Sequence, residues 1–192
     1  MLGDAIRLTL LVTDVFEQMK IPYAIGGSFA SSLHGVMRAT MDVDIVADLQ
    51  LEHIQQFVAM LSPAFYADDE MIREAIEHHS SFNLIHYETA FKVDVFIPKL
   101  RAFDRMQLER RAKSIIATDP ERSVFLSSAE DIILAKLEWY RMGDEISDRQ
   151  WRDILGVMKV QSSKLDFDYL QQWAKQLKVD DLLERARRES GI

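Results

Sequence analysis

Asp42 and Asp44 stand two residues apart in the otherwise apolar run Met41-Asp42-Val43-Asp44-Ile45-Val46. The alternation has the period of a strand, which puts both carboxylates on one face and Val43 and Ile45 on the other. Aspartate is a poor strand former, and adjacent carboxylates repel unless a cation sits between them or water screens them. A strand that tolerates both acids among Met41, Val43, Ile45 and Val46 suggests a hard divalent cation such as Mg²⁺, which takes carboxylate and phosphate oxygens.

The residues just upstream supply what an acid pair lacks. Pro22-Tyr23-Ala24-Ile25 reads as a short strand, Gly26-Gly27-Ser28 as a tight turn and Phe29 to Leu33 as a short helix. Gly26 and Gly27 let a ligand approach the main chain, and Ser28 can cap the helix. The helix N-terminus then offers N–H groups and partial positive charge to phosphate. A phosphate cradle followed by a metal-binding acid pair is the equipment of phosphoryl or nucleotidyl transfer. Between them, His34 reads as structural. Arg38 reads either as a triphosphate contact or as a loop arginine, solvated or paired with Asp42 or Asp44.

Gly27-Ser28, thirteen residues, then Asp42-x-Asp44 resembles the signature of the nucleotidyltransferase superfamily, the polymerase β-like fold. The run Arg38-x-Thr40-x-Asp42-x-Asp44 is similar to the AbiEii-type and related minimal nucleotidyltransferases, known mainly from toxin–antitoxin and phage-defence systems. The resemblance implies Mg²⁺ or Mn²⁺ as cofactor, a nucleoside triphosphate as substrate and an acceptor that is a protein, a tRNA or a small molecule. It also raises a partner protein as an expectation.

Helical periodicity covers Ala5 to Lys20, Leu51 to Leu61 and Asp69 to His79. His78-His79 reads as an exposed pair near a helix end, since adjacent helical residues point apart. Phe82 to Tyr87 and Phe91 to Ile97 read as two strands of a hairpin, the second stopped by Pro98. Asp94 is an isolated acid in that second strand, where an unpaired buried charge is costly. A metal shared with Asp42 and Asp44 removes the cost, whereas an edge strand would leave Asp94 in water. The superfamily resemblance implies the first, because Lys92-Val93-Asp94 matches its third-carboxylate segment. Arg101 to Ala112 reads as a helix, and Lys113 to Thr118 and Ser123 to Leu126 as strands around Asp119-Pro120. Arg101, Arg105, Arg110, Arg111, Lys113 and Arg122 form the most basic region. They read as a nucleotide or RNA guide, or as a solvated face.

Beyond Leu126 the pattern is helical throughout: Ala129 to Arg141, Ser147 to about Val160, Phe167 to Leu177 and Asp180 to Glu189. Cap chemistry stands at Ser127-Ser128 and Ser147, and Gly143 ends the first helix. Lys136 and Asp153 are mid-helix charges that could be surface groups or a bridge between neighbouring helices. The AbiEii-type resemblance implies that Lys136 balances triphosphate charge and that Asp153, in its Arg152-Asp153 context, orients the lysine or binds the acceptor.

The expected fold class is α+β, with an α/β-type mixed sheet. A nucleotidyltransferase-like core spans residues 1–126, and a C-terminal helical bundle region packed on it spans 127–192. The 192 residues include no Cys, which excludes disulfides and thiolate chemistry and fits a cytoplasmic protein. No apolar run reaches membrane-spanning length, and Met1 to Lys20 lacks the pattern of a signal peptide. The net charge of −8 argues against a duplex DNA-binding surface. The functional expectation is metal-dependent transfer of a nucleoside monophosphate. Asp42, Asp44 and Asp94 are its metal-binding and catalytic residues. Gly26, Gly27, Ser28, Arg38, Lys136 and Asp153 are its nucleotide-binding residues. The competing expectations are a catalytically weak binding or regulatory module on the same fold, and a structural protein whose acids are surface residues.

Overall fold

The computed structural model describes residues 2–35 and 42–192. Among them a seven-stranded mixed sheet runs in the order β3-β4-β5-β2-β1-β7-β6. The strands are β1 (Tyr23–Ile25), β2 (Asp42–Ala47), β3 (Phe65–Tyr66), β4 (Ser81–His86), β5 (Lys92–Phe96), β6 (Ala112–Thr118) and β7 (Glu121–Leu126). Nine α-helices accompany them in the described residues: α1 (Leu2–Gln18), α2 (Gly27–His34), α3 (Ile54–Leu61), α4 (Asp69–His78), α5 (Ala102–Glu109), α6 (Ala129–Met142), α7 (Asp148–Gln161), α8 (Phe167–Leu177) and α9 (Asp180–Ser190). A single 3-10 turn, Leu51–His53, leads into α3. This is the expected mixed α/β class. The two-residue strand β3 is an addition, too short for periodicity to reveal.

The described residues divide into two compact units. One comprises residues 2–26 and 42–126, and the other 27–35 and 127–192. The first holds the whole sheet with α1, α3, α4 and α5. β2 pairs parallel with β5 and antiparallel with β1, and β4–β5 is the expected antiparallel hairpin. β5 is therefore a central strand, which removes the edge-strand reading of Asp94. One face of the sheet is apolar: Val43, Ile45, Val93, Val95, Phe82 and Leu84 are all buried. Phe16 of α1 stacks on Tyr23 at 5.6 Å and on Phe57 of α3 at 5.2 Å, and Phe57 meets Phe82 edge-on at 6.2 Å. Large apolar side chains packed at these distances contribute about 1.5–3 kcal/mol each on burial.

Local chemistry fixes the ends of α4. Asp68 accepts from Met71 N at 2.9 Å, and His79 closes the helix in the left-handed region at φ 48°. His79 Nδ1 donates to the Pro98 carbonyl at 2.8 Å, so it is half-buried, unlike the exposed His78. The basic region is largely tied down within the unit. Arg101 pairs with Asp104 at 2.7 Å, Arg122 pairs with Asp14, and the Arg111 guanidinium lies 5.0 Å from the Phe125 ring centroid.

The second unit is helical. It takes α2 from between β1 and β2 of the sequence and packs it against α6 and α7. Gly35 makes that approach possible: a Cβ there would lie 2.9 Å from the Ser31 carbonyl oxygen, 3.0 Å from Val157 N and 3.1 Å from the Gly156 carbonyl carbon. Gln161 Nε2 donates to the His34 carbonyl at 2.7 Å, and His34 Nε2 donates to the Ser127 carbonyl at 3.0 Å. Ser128 and Ser147 cap α6 and α7 as their spacing suggests. Tyr140, 5% exposed, and not Trp139, 49% exposed, continues the apolar face of α6.

Candidate active site

The strand pair β2–β5 gathers the three candidate carboxylates. In the parallel register Asp42 lies beside Lys92 and Asp44 beside Asp94. Directly paired residues share a face, so all four side chains emerge on the side away from Val43, Ile45, Val93 and Val95. That face is half-buried, and Asp94 keeps 16% of its side-chain exposure. It continues onto β4, where Asn83 lies beside Asp94 and Ile85 beside Lys92. The Gly26 N–H donates to the Asp44 carbonyl at 2.9 Å, anchoring the start of the glycine turn to the acid strand.

Lys92 is the group that the sequence reading left without a role. Its Nζ lies 2.9 Å from Asp94 Oδ2, and its side chain is 45% exposed. The hydrogen bond to Asp94, with the charges of Asp42 and Asp44 behind it, holds the ammonium above its ordinary pKa range. The signal was its position two residues before Asp94, hence on the same face.

The donor chemistry suits a hard cation: three carboxylates on one half-buried face of two adjacent strands. Among the described residues no three acidic or histidine side chains are already drawn together as a metal cage. Asp94 is drawn instead to Lys92, Nζ to Oδ2 at 2.9 Å.

The remaining candidates belong to the helical unit, apart from Gly26, which is buried at the end of β1, and Arg38, which lies outside the described residues. Gly27 sits at φ 56°, a backbone conformation that favours glycine. α2 begins at Gly27, so Ser28 lies within its first turn and not at the cap expected from the sequence. The Ser28 carbonyl accepts from Ser32 Oγ at 2.9 Å, and the Gly27 carbonyl accepts from Ser31 Oγ at 2.6 Å. Gly27 and Ser28 are half-buried. Lys136 Nζ donates to Asp153 Oδ2 at 3.0 Å, with side-chain exposures of 9% and 15%. That is a largely buried bridge between α6 and α7, not a pair of surface charges. Burial pushes the His34 imidazole below its ordinary range, consistent with the structural role expected for it.

No protein-family model and no curated protein sequence matches the chain. Solved structures do. The lincosamide antibiotic adenylyltransferase LnuA, with lincomycin bound, is similar over 77% of this chain and 92% of its own, at 19% identity and a TM-score of 0.50. The antibiotic-resistance factor ANT(2'')-Ia is similar over 99% of this chain and 96% of its own, at 15% identity and a TM-score of 0.53. An antigenic nucleotidyltransferase-like protein from Paracoccidioides brasiliensis is similar over 94% of this chain and 91% of its own, at 17% identity and a TM-score of 0.52. At such identities the likeness is one of fold, and it makes this chain a protein of the nucleotidyltransferase fold.

Proposed function

We propose that the chain is a metal-dependent nucleotidyltransferase that moves a nucleoside monophosphate from a nucleoside triphosphate to an acceptor hydroxyl and releases pyrophosphate. The observation that carries this reading is the β2–β5 register, which sets Asp44 beside Asp94 and Asp42 on the same face. Asp42, Asp44 and Asp94 would hold Mg²⁺ or Mn²⁺, which neutralises phosphate charge and lowers the barrier to attack at the α-phosphorus. Asp94 takes the proton of the acceptor hydroxyl as the new oxygen–phosphorus bond forms and the bond to the β-phosphate oxygen breaks. The main-chain N–H groups at Gly27 and Ser28, opening α2, bind phosphate oxygens. Lys136 offsets triphosphate charge, and Asp153 fixes the position of its ammonium. Arg38 is assigned a phosphate contact on its place in the sequence alone.

A small-molecule hydroxyl is the favoured acceptor. The net charge of −8 disfavours a large polyanionic acceptor, and LnuA, one of the proteins of this fold, is an antibiotic adenylyltransferase. The Arg38-x-Thr40-x-Asp42-x-Asp44 run supports a toxin–antitoxin or defence setting with a partner protein. Among the described residues no helix is long and apolar enough to cross a membrane. The reaction is assigned to the cytoplasm, where nucleoside triphosphates are available.

The test is label transfer from α-³²P nucleoside triphosphates, with Mg²⁺ or Mn²⁺, into aminoglycoside, lincosamide, tRNA and protein acceptors. Transfer by the wild type and its loss in Asp42→Ala/Asp44→Ala are expected. Equal transfer by both proteins would overturn the reading.

A further inference from the structure

The carboxylate face contains one feature that a plain metal site does not need. Lys92 lies beside Asp42 in the register and bonds Asp94 across one strand period, Nζ to Oδ2, at 2.9 Å. The two partners differ in freedom. Asp94 retains only 16% of its side-chain exposure, so its carboxylate cannot withdraw into water. Lys92 retains 45% and carries its charge on a flexible four-carbon stem. If the pair opens, the lysine can reach solvent, whereas the aspartate stays on the half-buried face and needs another cation.

We propose that Lys92 is an internal counter-cation of the acid face, holding Asp94 when no divalent ion is bound and competing with that ion for it. The inference rests on the reading that Asp42, Asp44 and Asp94 form the metal site. Asp44 and Asp94, paired across strands about 5 Å apart, carry like charges that oppose one another, with Asp42 one strand period away on the same face. A tethered ammonium relieves that repulsion in the metal-free fold, and a divalent ion relieves it more strongly once bound. Asp94 then turns toward Asp42 and Asp44, and Lys92 moves out toward water. Lys92 thereby sets the metal affinity, keeping it weaker than the three carboxylates alone would give. It acts through Asp94 and is a positioning residue.

The experiment measures Mn²⁺ binding to the full chain by electron paramagnetic resonance, without nucleotide, for the wild type, Lys92→Gln, Lys92→Arg and Asp44→Asn. Metal-free melting curves accompany each protein. Asp44→Asn should weaken Mn²⁺ binding. Lys92→Gln should tighten it, roughly three- to fivefold for the loss of a half-exposed competing charge. Lys92→Gln should also lower the metal-free melting temperature and enlarge the rise on adding Mn²⁺. Lys92→Arg, which keeps the charge, should bind Mn²⁺ as the wild type does and shows that the site survives substitution. If Asp44→Asn weakens binding while Lys92→Gln binds Mn²⁺ no more tightly than the wild type, the counter-cation role is wrong and the metal site stands. If Asp44→Asn leaves Mn²⁺ binding unchanged, the metal site and the counter-cation role fall together.

Discussion

Lys136→Met separates a structural role from a chemical one in the helical unit. The lysine and Asp153 face each other across α6 and α7 at 3.0 Å, with side-chain exposures of 9% and 15%. Removing the ammonium takes a close opposite charge from a carboxylate that water barely reaches. Breaking a buried pair from one side costs about 3–5 kcal/mol, and the remaining exposure of Asp153 points to the lower end, about 3 kcal/mol. Removing both charges is far milder, so Lys136→Met/Asp153→Leu should return to within about 1 kcal/mol of the wild type. The assay is urea unfolding followed by tryptophan fluorescence. All three tryptophans, Trp139, Trp151 and Trp173, lie in the helical unit, so the signal reports that unit. A second arm titrates Mg²⁺–ATP into each protein by calorimetry. The double variant is expected to be folded yet to bind the nucleotide at least about tenfold more weakly, because a lysine–phosphate contact is charge-assisted. A loss below about 1 kcal/mol in Lys136→Met would refute the claim that the pair is desolvated. Wild-type nucleotide affinity in the folded double variant would refute the phosphate role of Lys136.

Three other outcomes follow from single observations. Gly35→Ala should destabilise the helical unit by about 2 kcal/mol in the same fluorescence assay, since its Cβ would come within 3.0 Å of backbone on α7. Burial holds the His34 imidazole below its ordinary range in the fold. The unfolded chain therefore takes up the proton first, and stability should fall as pH drops below about 6.5. His34→Gln should flatten that part of the stability–pH curve. Asp44→Asn should abolish label transfer at unchanged far-ultraviolet circular dichroism, because it takes one charged oxygen donor from the β2–β5 face.

The shared face of Asp42 and Asp44 on β2 could be read in advance because its signal is local. Period-two alternation put Asp42 and Asp44 on one face, and the same period, had it been applied to β5, would have put Lys92 and Asp94 on one face. The order β4-β5-β2 was not local information. No residue spacing states that β5 enters the sheet beside β2, and only that pairing makes Asp94 central. Helix starts at Ser128 and Ser147 followed from cap chemistry, but at α2 the same logic misplaced Ser28, because Gly27, at φ 56°, already opens the helix. The association of α2 with α7 depends on Gly35 meeting backbone more than a hundred residues away, a fit of shape that composition does not encode. The Lys136–Asp153 bridge spans seventeen residues and two helices, so its burial waited for the packing of α6 on α7.

The central claim concerns the fate of the α-phosphate. With wild-type protein, Mg²⁺ and a competent acceptor, each nucleoside monophosphate transferred should be matched by one pyrophosphate released. Both products should disappear in Asp42→Ala/Asp44→Ala at unchanged far-ultraviolet circular dichroism. Release of inorganic phosphate in place of pyrophosphate, or pyrophosphate released equally by the double variant, would contradict the assignment of this acid face to nucleotidyl transfer.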